Sequence, residues 1–402
     1  MKFFRKLLFV FILRIFNYNK NISYNDLNFK KIDFTNNKQV KSFIFKKDFH
    51  KIQNRSIQNF DFLNFSKKLG GKVGISLSRN TIINWYKINK NKINFPWSDD
   101  LTSKRLINII YNYEFINSSS DISEKKLIDK IIFIHLKRVI YDFKYKDISQ
   151  ITSYDLIANF LSVIILGKLN HRDLNYLNLI IDYNIDQLGM HKSYNILEHS
   201  KFINNLEELK NIFLYFKIEN DRKIDESLIK MKSILNEYYH LDRTFPLFNG
   251  TNNNFTEIIF NSLNKDEYLK SRSFLNTNNG IAFYSDKNKK LFFDVVQPNK
   301  DNISSNLSAG TLSFEFSSLG EKIITNCGAS ESFGKNPEYL RYSAAHSTII
   351  LQNTNISEIK ENNPHLKYPQ SVKFNSIYEN EQSIFEGSHN GYIKKFNKII
   401  KR

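Results

Sequence analysis

The chain has 402 residues, too many for one ordinary hydrophobic core, so two or three domains are expected. Apolar residues make up 41% and charged residues 24%, with 13 Gly and 6 Pro, which excludes a linker or low-complexity chain. The formal charge is +18, from 58 basic and 40 acidic residues, and a single cysteine, Cys327, excludes an intrachain disulfide and a Cys-rich metal site.

A basic surface attracts nucleic acid, anionic membrane or an acidic polymer. A compositional origin competes with that reading. Lys, Asn, Ile and Phe are abundant throughout, as an AT-rich genome produces, and no concentrated basic block stands out. Neither a helix-turn-helix signature nor zinc-finger spacing is present, so no nucleic-acid partner is expected.

The chain begins MKFFRKLLFVFILRIFNYNK. Its apolar run, Leu7 to Leu13, ends at Arg14, and no small-residue cleavage site follows. It is too short to span a bilayer, which takes ~20 apolar residues. An amphipathic first helix that packs on the body or touches a membrane face is expected, with an uncleaved or atypical export signal as the alternative. The missing signal features leave a cytoplasmic location open beside the cell envelope or periplasm. Residues 1–80 form an N-terminal segment, partly helical.

From Pro96 the apolar period becomes helical. Asp99 and Asp100 are expected to cap a helix through Leu101, Ile107 and Ile110. They are better read as caps than as a glycosidase pair. SEKKLIDKIIFIHLKRVIYDF carries an i, i+3, i+4 apolar stripe at 127, 128, 131, 132, 136, 139 and 140. Further helices are predicted at about 153–167, 172–186, 202–217 and 224–240. Short polar links make neighbouring helices antiparallel.

Near residue 270 the period shifts toward two. GIAFYSDKNKKLFFDVVQ reads strand, Asp-Lys-Asn turn, strand. GTLSFEFSSLGEKIITNCG alternates Leu312, Phe314 and Phe316 with Thr311, Ser313 and Glu315, then turns at Leu319-Gly320. HSTIILQN, SVKFNSIY and QSIFEGS are predicted as further strands. Such strands need a second sheet or a helical layer to bury their apolar face. The strand pattern runs to the last residues, KKFNKIIKR, so a β domain that is small or cut short is expected. The expected division is therefore a helical domain at 81–270 and a β domain at 271–402.

Three polar clusters are candidates for chemistry. The first is QLGMHKSYNILEH, with His191, Ser193, Asn195 and His199 after Gly189, which frees the backbone to turn. A solvated interhelical connection is the plainer reading, although loops on rigid scaffolds often carry function. The second is NEYYHLDRTFPLFNG, with Tyr238, Tyr239 and His240 closing a helix. These side chains serve as proton donors or acceptors when tuned, or simply pack as an aromatic helix end, with His240 favourable near the helix dipole. The third is LRYSAAHSTIIL, where His346 follows two alanines and Arg341 can clamp a carboxylate bidentately. A lone His at a strand start is more often structural. No P-loop, H-E-x-x-H helix or G-x-S-x-G elbow is present.

At these clusters the sequence resembles the heparinase II/III-like polysaccharide lyases, in a bacterial branch. The resemblance runs in order through PWSDDLTSKRLINII, DQLGMHKSYNI, YYHLDRTFPLFNG, SAGTLSFEFSSLGEKIITNCG and RYSAAHSTIIL, over roughly residues 80–402. Its β segment is the most specific part. It implies an incomplete (α/α) toroid followed by an antiparallel β-sandwich, with a cleft between them. It also implies β-elimination on a uronic-acid-containing anionic polysaccharide. That reaction needs a group that neutralises the uronate carboxylate, a base for the C5 proton and an acid for the leaving oxygen.

Carried over by position, His191 and Asn195 are candidates for carboxylate neutralisation, and His346 matches the family histidine of the A-H-S/N-T stretch. Tyr239 is the candidate tyrosine, with Tyr238 as its rival. His240, Arg341 and Asn326 are candidate substrate contacts. Metal-binding relatives carry histidines and an acid where this chain has Ser304, Asn306, Ser308 and Asn326, and amides and hydroxyls are poor zinc ligands. No metal and no cofactor are therefore expected. The loop also lacks the acid that some relatives carry at Ser193. The competing readings are a noncatalytic glycan-binding or envelope-biogenesis protein on the same scaffold, and a toroid glycoside hydrolase with two facing carboxylates.

Overall fold

The computed structural model describes residues 55–93, 95–219, 222–252, 274–275, 280–298, 307–329, 337–359, 367–379 and 382–402. The expected N-terminal helix, its membrane contact, and Ser304 and Asn306 lie outside the described residues. Among the described residues no helix is long and apolar enough to cross a membrane.

Helices come first: α1 Arg55–Gln58, α2 Phe62–Leu69, α3 Gly71–Asn89, α4 Asp99–Tyr111, α5 Tyr113–Asn117, α6 Ile122–Lys144, α7 Ser153–Ile165, α8 His171–Asn184, α9 Ile196–Tyr215 and α10 Arg222–Glu237. Antiparallel strands follow: β1 Phe274–Leu275, β2 Ile281–Ser285, β3 Lys289–Asp294, β4 Phe314–Ser318, β5 Glu321–Ile324, β6 Val372–Glu379, β7 Gln382–His389 and β8 Ile400–Lys401. A short helix, α11 Ile393–Phe396, precedes β8. A helical region followed by antiparallel sheets is the fold class expected from the change of period.

The chain divides into two compact units. The first holds residues up to 178 together with 205–221, and the second holds 179–204 with 222–402. The division passes through α8 and α9 rather than at the helix-to-strand switch. The β elements thus share a unit with α10 and with the loop between α8 and α9.

In the first unit the stripe on α6 buries Ile128, Ile131, Ile132, Leu136 and Val139, as its period requires. A capping box of Asp121 and Glu124 opens this helix. On α4, Ser98 rather than Asp99 or Asp100 takes the cap position, because its backbone is extended there. The two aspartates occupy the first turn, where the helix dipole favours negative charge. The core also holds polar groups that periodicity does not announce. The fully buried Arg105 donates to the carbonyls of Gln58 and Pro96 and to His135, and stacks on Trp85 at 4.0 Å.

Asp155 links three segments of this unit. It accepts from Ser103 Oγ (2.7 Å), Thr152 N (2.9 Å) and Thr152 Oγ1 (2.8 Å), and pairs with Lys146 at 2.6 Å. It closes the capping box of α7 at the same time.

In the second unit, five strands form a sheet in the order β1-β2-β3-β4-β5, and β6-β7-β8 form another. Asp286 builds the β2–β3 turn by accepting from the backbone N–H of Asn288 and Lys289. Leu319 and Gly320, both at positive φ, make the two-residue β4–β5 turn. The two sheets enclose a core of Ala282, Phe293, Val295, Leu312, Tyr392 and neighbours. Gly387 on β7 lets them approach, since a Cβ there would lie 2.4 Å from the Leu312 side chain.

The segment HSTIILQN is not a strand. A 3-10 turn at Ser343–Ala345 leads into it, and its only bridge pairs Leu351 with Thr354. It attaches through side chains instead. Ser347 Oγ bonds both backbone groups of Phe314, and Thr348 Oγ1 donates to Thr311 O. These hydroxyls take the backbone partners that a paired strand would have used.

Replacing Asp155 with Ala leaves Lys146 and the capped helix end unpaired in a buried setting. The expected loss is about 3–5 kcal/mol, as for a broken buried pair. Urea unfolding of the full chain checks this, and an unchanged midpoint would count against the role given to Asp155.

Candidate active site

Every residue singled out from the sequence falls in the second unit. The loop between α8 and α9 is held against α10. Gly189, at φ 96°, lies so close that a Cβ would meet Lys230 Cβ at 2.6 Å. Asp186 accepts from the N–H of Leu188 and Met190 and so rounds the turn. The His191 N–H donates to His199 Nδ1 (3.1 Å), and His199 Nε2 donates to Met231 O (2.9 Å). His199 is thereby fixed as the Nε2-protonated tautomer, and burial lowers its pKa to about 4.

His191 Nδ1 accepts from Ser193 N (3.2 Å) and lies 2.8 Å from Ser193 Oγ. The residue as a whole is partly exposed, but burial of the ring, and then His199, lower its pKa to about 3. Asn195 is almost fully buried and caps α9, its Oδ1 accepting from Leu197 N and Glu198 N. Its Nδ2 donates to Asn249 O at 2.8 Å. The side chain thus ties the α8–α9 loop to the segment that follows α10.

That segment covers one face of the five-stranded sheet. Tyr238 and His240 set their rings against Phe292 at 5.2 and 4.9 Å, and Lys290 Nζ sits 4.1 Å above the Tyr239 ring. Alternation in β4 suggests that Phe314 and Phe316 point inward and Glu315 outward. The burial is the reverse in degree: Glu315 and Ser317 are 0% and 1% exposed, whereas the two phenylalanines are half-buried. The sheet is covered on both faces, so its polar face is also interior.

Glu315 is the centre of this polar face. Its Oε2 lies 2.9 Å from His240 Nε2, and its Oε1 accepts from Leu247 N (2.9 Å) and Asn326 N (3.0 Å). His240 Nδ1 is 2.9 Å from Ser317 Oγ. Asn326 Oδ1 accepts from Ser347 N, and Cys327 N donates to Ala345 O, which brings the loop before His346 alongside. Gly310 admits the His346 ring, because a Cβ there would be 3.1 Å from its Cγ. Burial lowers the His346 pKa to about 4 against the opposing pull of Glu315 and the Leu340 carbonyl. That carbonyl acts from outside hydrogen-bond geometry, and neither ring nitrogen has a well-formed partner.

The structure therefore gathers His240, Asn326 and His346 around Glu315, with Asn195 joined through Asn249. Tyr238 is buried with its hydroxyl enclosed, and its pKa is raised by burial and by Asp294 and Glu315. Tyr239 remains partly exposed. Arg341 turns its Nε and Nη2 onto Leu307 O. Of the residues compared with metal ligands in the sequence analysis, Ser308 donates through its N–H to Asn249 Oδ1, and Asn326 spends its oxygen on Ser347 N. These residue types do not fit zinc. Among the described residues no three His, Cys, Asp or Glu side chains are grouped for a metal. Glu315, Asn249 and Asp294 were not singled out from the sequence. Glu315 had one signal, a lone acid between two phenylalanines, and alternation assigns that position to solvent.

Two opposite pH effects follow from burial. His191, His199, His346 and His389 have pKa values of about 3, 4, 4 and 4, below the ordinary value of about 6.5. Unfolding lets them bind protons, so their contribution is complete above about pH 6.5 and drains as the pH falls toward 4. Asp294 is raised to about 7 by burial. Its contribution is complete below about pH 4 and is lost as the pH rises through 7. Asp294→Asn is thus expected to raise the melting temperature at about pH 8 and to change it little at about pH 5. Thermal melts at the two pH values check this, and an equal shift at both would refute it.

A comparison with curated protein sequences gave no match. Residues 270–402 match the family model described as "Heparinase II/III-like, C-terminal". Among solved structures, the chain is similar to a heparan sulfate lyase, HepC, from Pedobacter heparinus. The TM-score is 0.60 at 10% identity, covering 96% of this chain and 70% of that one. A heparinase III matches with a TM-score of 0.62 at 12% identity, covering 96% and 75%. A further heparinase III gene product gives 0.62 at 12%, covering 94% and 72%. At these identities the likeness is one of fold. The family match is thus carried by the C-terminal third of the chain, residues 270–402, and the likeness to solved structures extends the fold over the rest.

Proposed function

We propose that the protein is a polysaccharide lyase that cleaves a uronic-acid-containing anionic glycan by β-elimination, in the cell envelope. The observation that carries this reading is the gathering of His240, Asn326 and His346 around one buried carboxylate, in a domain of this family. The structural relatives are a heparan sulfate lyase and heparinases III, which supports an anionic glycan as the substrate class.

In this reading the residues divide the work as follows. A base removes the C5 proton, the electrons form the C4–C5 double bond, and the C4–oxygen bond breaks as that oxygen takes a proton. His346 is neutral above about pH 4 and so able to accept a proton. Tyr239 is the tyrosine that a polymer can reach, because Tyr238 is enclosed against Phe292. Asn195 retains one amide N–H beyond its bond to Asn249, and His191 presents its Nε2 side, for the uronate carboxylate. His240, Arg341 and Asn326 serve the site by shaping it around the glycan.

A second reading is glycan binding without cleavage. It is favoured by the scaffold bonds that occupy most of the Asn195 and Arg341 side chains.

Incubation with a panel of uronate polymers, followed by ultraviolet absorbance, detects the conjugated double bond that elimination leaves. Wild type is expected to produce it on at least one polymer. Tyr239→Phe and His346→Ala are each expected to lower the rate about 10²–10⁴-fold with the fold retained. Absorbance that never rises, on polymers that the protein binds in a sedimentation assay, would exclude the lyase and leave the binding reading.

A further inference from the structure

We infer that Glu315 is the positioning residue of this site, holding two separate segments in register with its own strand through one buried carboxylate. The inference rests on the lyase reading for its catalytic consequence and on geometry for its structural one.

The carboxylate is fully enclosed, and each of its oxygens is committed. Oε1 takes the backbone N–H of Leu247 and of Asn326, and Oε2 takes His240. Buried carboxylates are costly unless they are paired and hydrogen-bonded, so a site that keeps one gains something specific from it. Here the three partners come from two parts of the chain. His240 and Leu247 lie after α10, and Asn326 follows β5. The carboxylate itself stands on β4, whose register is set by pairing with β3.

Each partner leads directly to a candidate group. His240 is next to Tyr239. Two residues beyond Leu247, Asn249 accepts from Asn195 through its backbone oxygen. Asn326 accepts from Ser347 N, the residue after His346. A shift of any partner therefore moves a different part of the site. A neutral isostere retains the shape and can still accept from both backbone N–H groups. It places an amide where His240 now meets a carboxylate oxygen, which changes that bond.

The test compares wild type with Glu315→Gln in the full chain. Circular dichroism first establishes that the variant folds. On a polymer that wild type cleaves, kcat is expected to fall about 100-fold with KM little changed, the pattern of misplaced catalytic groups. The second readout needs no activity. Imidazole signals in NMR are assigned with His240→Asn, His346→Asn and His389→Asn. In Glu315→Gln the His240 and His346 signals are expected to move, while that of His389, on β7, stays in place. Unchanged His346 signals would overturn the inference, as would a loss of melting temperature alone with kcat intact. If wild type cleaves no polymer, the lyase reading fails, and the NMR comparison still decides whether Glu315 sets the geometry.

Discussion

The second unit depends on burying one charged side chain in the middle of a β-sheet. Glu315 is fully buried on β4, and it is accommodated there because both of its oxygens are hydrogen-bonded. Bonded to His240 and to two backbone N–H groups, the carboxyl group is a fixed point. The segment after α10 closes over the sheet because its polar atoms are needed there, as well as its rings against Phe292.

Around that point the polar groups are not distributed evenly. The two asparagines nearest to it spend their amide oxygens on backbone N–H groups, Asn249 on Ser308 and Asn326 on Ser347. Among the described residues, their Nδ2 groups are buried without a hydrogen-bond partner. The His346 ring nitrogens and the Tyr238 hydroxyl have the same character. Buried polar groups left over in this way are uncommon in folded proteins and tend to mark functional sites. In the first unit, Arg105 and Asp155 have several partners each.

Ser308 and Asn326 are each tied into the protein's own hydrogen bonds. Asn326 links β4 to the loop of His346 by bonds that join backbone and side-chain atoms alone. Internal hydrogen bonds thus bring these two segments together.

The helices, their stripes and the β-hairpins at Asp286 and Leu319-Gly320 were legible in the sequence, because local periodicity and turn chemistry specify them. The sequence did not reveal that HSTIILQN is held by Ser347 and Thr348 side chains, since hydroxyls and strand alternation look alike in a string of residues. Nor did it reveal Glu315. Alternation tells which residues share a face of a strand, but not whether that face meets water or protein. That was decided by the second layer of chain folding over the sheet, which turned an apparently exposed acid into the centre of the site.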